Sequence, residues 1–215
     1  MQQRTRIKIC GLTREADIDA AVAAGADAIG LVLYDKSPRH VSVERAAELA
    51  RRLPAFVTPV GLFVNASPGF ITQAVLAIPQ LALQFHGDET PDDCRAARRP
   101  YLRAISMAAG VDLLDFAARY PDAQALLLDA PVAGYGGGGK VFDWSVIPPH
   151  VPLPVVLSGG LHAGNVIEGI LRVRPWAVDV SSGVEAAKGI KDALAISRFC
   201  EAVREADARI AASEA

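Results

Sequence analysis

Cysteine is scarce in this chain. It occurs three times in 215 residues, at Cys10, Cys94 and Cys200, and no two of these form a CxxC pair. That spacing excludes a disulfide framework and a structural zinc site built on thiolates. Long apolar runs are also missing: the N-terminus enters a strand pattern with no signal-peptide segment, and no stretch is long enough to span a bilayer. Neither charge sign dominates, with 22 basic against 24 acidic residues and a formal net charge of -2. The arginines are scattered, so no basic face is offered to nucleic acid. His86 has no companion histidine at ligand spacing, so no metal centre is expected. No polar linker marks a second domain. The expectation is a protein of a reducing cytoplasm that binds neither membrane nor nucleic acid.

What is present is 51% hydrophobic residues arranged as alternating strand and helix patterns. The strands fall at Arg6–Cys10, Asp27–Leu33, Pro59–Asn65, Leu81–His86, Tyr101–Ser106, Ala125–Asp129, Val155–Ser158 and Ala177–Ser181. Helices are expected over Thr13–Ala24 with Gly25 as the stop, over Ser42–Leu53 with Ser42 as the cap, and from Ser67-Pro68, Thr90-Pro91, Val111, Ala163 and Asp192 onward, the last to about Ala206. Alternation of this kind implies a parallel sheet. Eight units without a long insertion fit a closed (β/α)8 TIM barrel over 1–215 as a single domain; an open doubly wound sheet is the rival.

In such a barrel the reactive side chains gather at the carboxyl ends of the strands. Cys10, His86, Asp129, Ser158 and Asp179 all fall there, and Arg39 lies in the loop after the second strand. Lys8 and Cys10 share one strand face, because side chains alternate. If that face is the barrel interior, a thiol stands above an inward lysine, and a cationic neighbour favours the thiolate. A small buried thiol used only for packing fits the same pattern. Asp179 shares the face of Ser181 and is expected to pair with Lys8 or Arg103, since buried charges need partners. Ser158-Gly159-Gly160 and Ser181-Ser182-Gly183 form two turns in adjacent units, where this barrel commonly holds phosphate. Gly134, Gly136 and Gly139 match GxGxxG in form only, for they neither follow a strand nor open a helix.

Taken together the motifs resemble the phosphoribosylanthranilate isomerase family of tryptophan biosynthesis. The resemblance runs through Lys8-Ile-Cys-Gly-Leu-Thr13, Ser37-Pro-Arg39, Val60-Gly-Leu-Phe-Val-Asn65, Gln84-Phe-His-Gly-Asp-Glu89, Leu157-Ser-Gly-Gly-Leu161, Asp179-Val-Ser-Ser-Gly-Val-Glu185 and Lys188-Gly-Ile-Lys-Asp192. It implies an Amadori rearrangement of a phosphosugar–anthranilate substrate without a cofactor. Apart from the resemblance, a monomer is the expectation, with a dimer as the alternative. The resemblance puts Cys10 at the family's general base and Asp129 at its general acid. Arg39 falls where the anthranilate carboxylate is held, with His86 and Asp179 beside the substrate and Gly159, Gly160, Ser181, Ser182 and Gly183 at the phosphate. Two departures stand out: Gly138 replaces the family's usual threonine, and Phe85 replaces an aliphatic residue at an outward-facing position. The alternatives are another phosphosugar isomerase or epimerase on this barrel, or a barrel that binds such ligands without turnover.

Overall fold

The structure is a computed structural model that describes residues 4–131 and 141–214. The glycine loop, Gly138 included, lies outside the described residues. Eight parallel strands close in sequence order into a barrel: β1 (Arg6–Cys10), β2 (Ala28–Val32), β3 (Thr58–Phe63), β4 (Ala82–Phe85), β5 (Tyr101–Ser106), β6 (Ala125–Asp129), β7 (Val155–Leu157) and β8 (Ala177–Val180). The closed barrel is the expected one, and closure removes the open-sheet alternative.

The helices are α1 (Glu15–Ala23), α2 (Val43–Ala50), α3 (Pro68–Ala77), α4 (Pro91–Ala96), α5 (Leu113–Arg119), α6 (Val166–Val173) and α7 (Ala193–Glu214). Their starts follow local chemistry. The Ser42 hydroxyl accepts the amide of Arg45, and Thr90 with Asp93 makes a reciprocal capping box. Gly25 ends α1 in the left-handed region at φ 84°, which suits a residue without a Cβ. Thr13 does not open α1; Arg14 is the cap, and the Thr13 hydroxyl donates instead to the Gly189 carbonyl. Between β6 and β7 the described crossover carries only the 3-10 turn Trp144–Val146, whose indole packs beside Gly169 of α6.

Alternation splits the core in two. Leu126 and Leu128 face outward into the large cluster beneath the helices, while Ala125 and Leu127 join Ala104, Val156 and Ala177 in a small cluster inside the barrel. Phe85 is buried on the outward side, edge-on to Tyr101 at 5.6 Å and tilted against Phe63 at 6.4 Å. The extra ring volume at this position is therefore absorbed under the helices and does not reach the barrel interior. α7 runs eight residues beyond the expected Ala206 because its end has work to do: Asp207 accepts from the backbone and hydroxyl of Thr5 at the foot of β1, and Ile210 is buried. A short hairpin, β9 (Glu185–Ala187) with β10 (Ile190–Lys191), follows β8 and was not expected from the sequence.

Candidate active site

Cys10 ends β1 and Asp129 ends β6, both buried at the carboxyl face. Between them in the ring of strands stand only β7 and β8, the two strands that carry the glycine–serine turns. Arg39, in the loop after β2, completes an unbroken arc from β6 through β7, β8 and β1 to β2. The candidates on β6, β7, β8, β1 and the loop after β2 are thus brought to one side of the barrel mouth, while His86 follows β4, outside that arc.

Below Cys10 the inward lysine finds its partner. Lys8 and Asp179 lie in register on adjacent strands, and Lys8 Nζ donates to Asp179 Oδ1 at 2.8 Å. Asp179 Oδ2 accepts from the Ser158 hydroxyl at 3.3 Å. Both oxygens of Asp179 are thus taken by protein groups at a level beneath the thiol. Of the two partners expected for Asp179, the structure selects Lys8. Arg103 points outward from β5, donates to the carbonyls of Phe85, Ala104 and Gly87, and stands 3.6 Å from Glu89. Burial alone would strip charge from Lys8, but Asp179 and the thiol hold its ammonium above the ordinary range.

The same burial acts against the expected thiolate. It pushes the Cys10 thiol up, and Asp179 adds to this; Lys8 and Lys191 pull it down without winning. The lysine has the expected sign, yet desolvation is the larger effect. Room for the sulfur comes from Gly30 on β2, where a Cβ would fall 2.5 Å from Cys10 Sγ. Sequence reasoning missed this glycine, whose only signal was a small residue inside an apolar strand.

At β6, Asp129 Oδ1 accepts the amide of Ala130 at 2.9 Å, and Oδ2 lies 3.3 Å from His86 Nε2. The His86 ring is held at Nδ1 by the Gln84 amide at 3.0 Å. His86 therefore meets Asp129 directly. A cavity of about 680 Å³ reaches His86 and Asp129 from the side of β5 and α5, where Arg103, Phe116 and Arg119 line it; Cys10, Arg39 and the two turns lie outside it.

The two turns are tight. Gly159 and Gly160 have φ 77° and 66°, and a Cβ on Gly183 would sit 1.9 Å from the Leu161 carbonyl oxygen. The chain comes this close only because these positions are glycine. Ser181 presents its carbonyl and hydroxyl to Lys191 Nζ at 3.0 and 3.3 Å, which leaves the hydroxyl's own proton for another acceptor.

Arg39 already has a partner within the protein. Its Nε and Nη2 donate to Glu185 Oε1 and Oε2 at 2.7 and 2.8 Å. Lys191 Nζ donates to the same Oε1 at 2.8 Å. Burial favours protonation of Glu185, but Arg39 and Lys191 override it and hold the carboxyl below its usual range. Neither Glu185 nor Lys191 was assigned a role from the sequence. Among the described residues no cluster of three His, Cys, Asp or Glu side chains could hold a metal ion, and no helix is long and apolar enough to cross a membrane.

Fold and site together define a (β/α)8-barrel enzyme whose polar centre sits at the carboxyl ends of its strands. Residues 7–202 match the family model of N-(5'-phosphoribosyl)anthranilate (PRA) isomerase. A protein of that name from Methylibium petroleiphilum is 72% identical over 211 residues, 98% of this chain and 99% of that protein. The crystal structure of the Thermotoga maritima phosphoribosyl anthranilate isomerase is 42% identical with a TM-score of 0.86, covering 94% of this chain and 99% of that one. A further crystal structure of such an isomerase, in complex with reduced 1-(o-carboxyphenylamino)-1-deoxyribulose 5-phosphate, is 40% identical with a TM-score of 0.83, again over 94% and 99% of the two chains. The chain belongs to the N-(5'-phosphoribosyl)anthranilate isomerase family, the isomerases of tryptophan biosynthesis.

Proposed function

We propose that this isomerase performs the Amadori rearrangement of N-(5-phosphoribosyl)anthranilate to 1-(2-carboxyphenylamino)-1-deoxyribulose 5-phosphate, with Asp129 as general acid and Cys10 as general base. Asp129 gives its proton to the furanose ring oxygen as the bond from that oxygen to C1 breaks and the amine lone pair forms the Schiff base. The iminium acidifies the C2–H bond. The Cys10 thiolate takes that proton, and the resulting enolamine tautomerises to the ketone. Each proton transfer contributes roughly 10²–10⁴-fold in rate. The observation that carries the reading is the order of groups around the barrel: carboxyl at β6, turns at β7 and β8, thiol at β1. A sugar phosphate seated on the turns has the acid on one flank and the base on the other.

The turns at Gly159-Gly160 and Ser181-Ser182-Gly183 take the phosphate through backbone N–H groups and serine hydroxyls. Arg39 takes the anthranilate carboxylate, for which a planar guanidinium is suited. His86 orders Asp129, and Asp179, whose oxygens are taken by Lys8 and Ser158, holds the lysine beneath the thiol instead of touching the substrate. The three cysteines are free and buried, in keeping with a reducing cytoplasm.

Purified protein mixed with freshly made N-(5-phosphoribosyl)anthranilate and a metal chelator is expected to consume it catalytically. Binding of the reduced product without turnover would instead favour a non-catalytic barrel.

Phosphate binding is testable apart from catalysis. Inorganic phosphate at about ten times its Kd stabilises the folded state by about 1.4 kcal/mol, which raises the Tm of a chain this size by about 3–6 °C. Ser182→Asp is expected to abolish that rise by placing a carboxylate on the turn. Gly183 is unsuitable for the test, since any side chain there collides with Leu161. A rise that survives Ser182→Asp would put the anion elsewhere.

A further inference from the structure

The Arg39–Glu185–Lys191 cluster has a geometry that the acid–base chemistry does not use. The Arg39 side chain crosses the face of Gly11, where a Cβ would lie 2.5 Å from its Cδ. It ends on Glu185, with both side chains nine-tenths or more buried. Glu185 belongs to the β9–β10 hairpin, which is fastened to the start of the chain: Thr13 donates to the Gly189 carbonyl at 2.7 Å, and the Lys191 amide donates to Asp17 at 3.3 Å. The Gly189 amide donates to Glu185 Oε1 at 3.3 Å and fixes the carboxylate from a further side.

A guanidinium has five N–H donors in one plane. Glu185 occupies one edge, the Nε and one N–H of Nη2. Nη1 has no partner among the described residues. The end-on edge, one N–H each from Nη1 and Nη2, is thereby left for a second carboxylate in bidentate register. Charge accounting agrees. With Lys191 protonated, two cations and one anion leave the cluster with one positive charge, which an Arg39–Glu185 pair alone would lack; burial pulls the Lys191 ammonium below its ordinary range, and its bond to Glu185 opposes that.

We propose that Glu185 is a positioning residue. It selects the edge that Arg39 shows and fixes where that edge stands, and so sets the preference for a substrate carboxylate ortho to the amine. Lys191 keeps the pair from becoming neutral towards that carboxylate. The proposal rests on the reading of Arg39 as the carboxylate's partner.

The test is the affinity of two reduced product analogues, with the carboxylate ortho or meta on the ring, titrated by fluorescence against wild type, Arg39→Ala, Glu185→Gln and Glu185→Asp. Removing the Glu185 charge changes affinity for both anions alike, and this cancels in the ratio. Wild type is expected to prefer the ortho analogue by about tenfold or more, the scale of one well-placed charged contact. Arg39→Ala is expected to bring the ratio within about twofold. Both Glu185 variants are expected to do the same although Arg39 is intact. Glu185→Asp keeps the charge and carries the test if Glu185→Gln fails to fold. If Arg39→Ala loses the preference while the Glu185 variants keep it, the proposal is wrong and the Arg39 reading stands. Equal weakening of both analogues in the Glu185 variants marks a merely structural carboxylate and also overturns it. If Arg39→Ala itself keeps the preference, the Arg39 reading fails and the proposal with it.

Discussion

Cys10→Ser is expected to lower kcat by about 10²–10⁴-fold while leaving the fold and the Kd of a reduced product analogue nearly unchanged. The substitution is close to isosteric at a buried position that β2 has already cleared through Gly30. A serine hydroxyl in the same pocket holds its proton far more tightly than a thiol. Lys8 cannot compensate, because its charge is already engaged by Asp179 at 2.8 Å. The wild-type pH profile gives a second reading. Burial pushes the Cys10 thiol up, so in the free enzyme the proton is bound more tightly than in an ordinary thiol. The reactive thiolate is the form that gains as pH rises, and kcat/KM is expected to climb past the ordinary thiol range before levelling. Levelling near neutrality would mean that Lys8 and Lys191 outweigh burial. Wild-type kcat in Cys10→Ser would remove the thiol from the mechanism altogether.

The parts of this site that the sequence made legible are those governed by period and order. Strand alternation alone puts Lys8 under Cys10, and closure of eight units in order makes β1 and β8 neighbours, so a pairing of Lys8 with Asp179 was within reach. The same parity rule excludes Arg103 as that partner once the inward face of β5 is known to carry Ala104. Nothing periodic announces the hairpin at Glu185–Ala187 and Ile190–Lys191: its strands are three and two residues long and mostly exposed, too short for a two-residue repeat to register. Glu185 consequently stood in the sequence as one motif residue without a role, 146 positions from the arginine it holds. The sign of a competition is also hidden. A lysine beside a thiol is legible; that burial outweighs it depends on how completely the barrel covers Cys10, which is a property of the packed structure.

Asp129→Asn is expected to produce a loss comparable to that of Cys10→Ser, about 10²–10⁴-fold in kcat, with analogue binding kept within about threefold. An amide retains the shape of the carboxyl and can still accept the Ala130 amide at the Oδ1 position, so the end of β6 stays in place. It has no proton to give a departing ring oxygen. The contact with His86 supplies the control. His86 Nε2 stands 3.3 Å from Asp129 Oδ2, and its other nitrogen is held by Gln84. Residues in such contact are not additive. If His86 acts only by ordering Asp129, His86→Gln alone is expected to cost less than Asp129→Asn, and the double variant is expected to be no worse than Asp129→Asn by itself. A double variant slower by the product of the two single losses would give the histidine an independent part in the proton transfer. An Asp129→Asn enzyme within about threefold of wild type would place the acid on another residue, with His86 the next group along the same cavity.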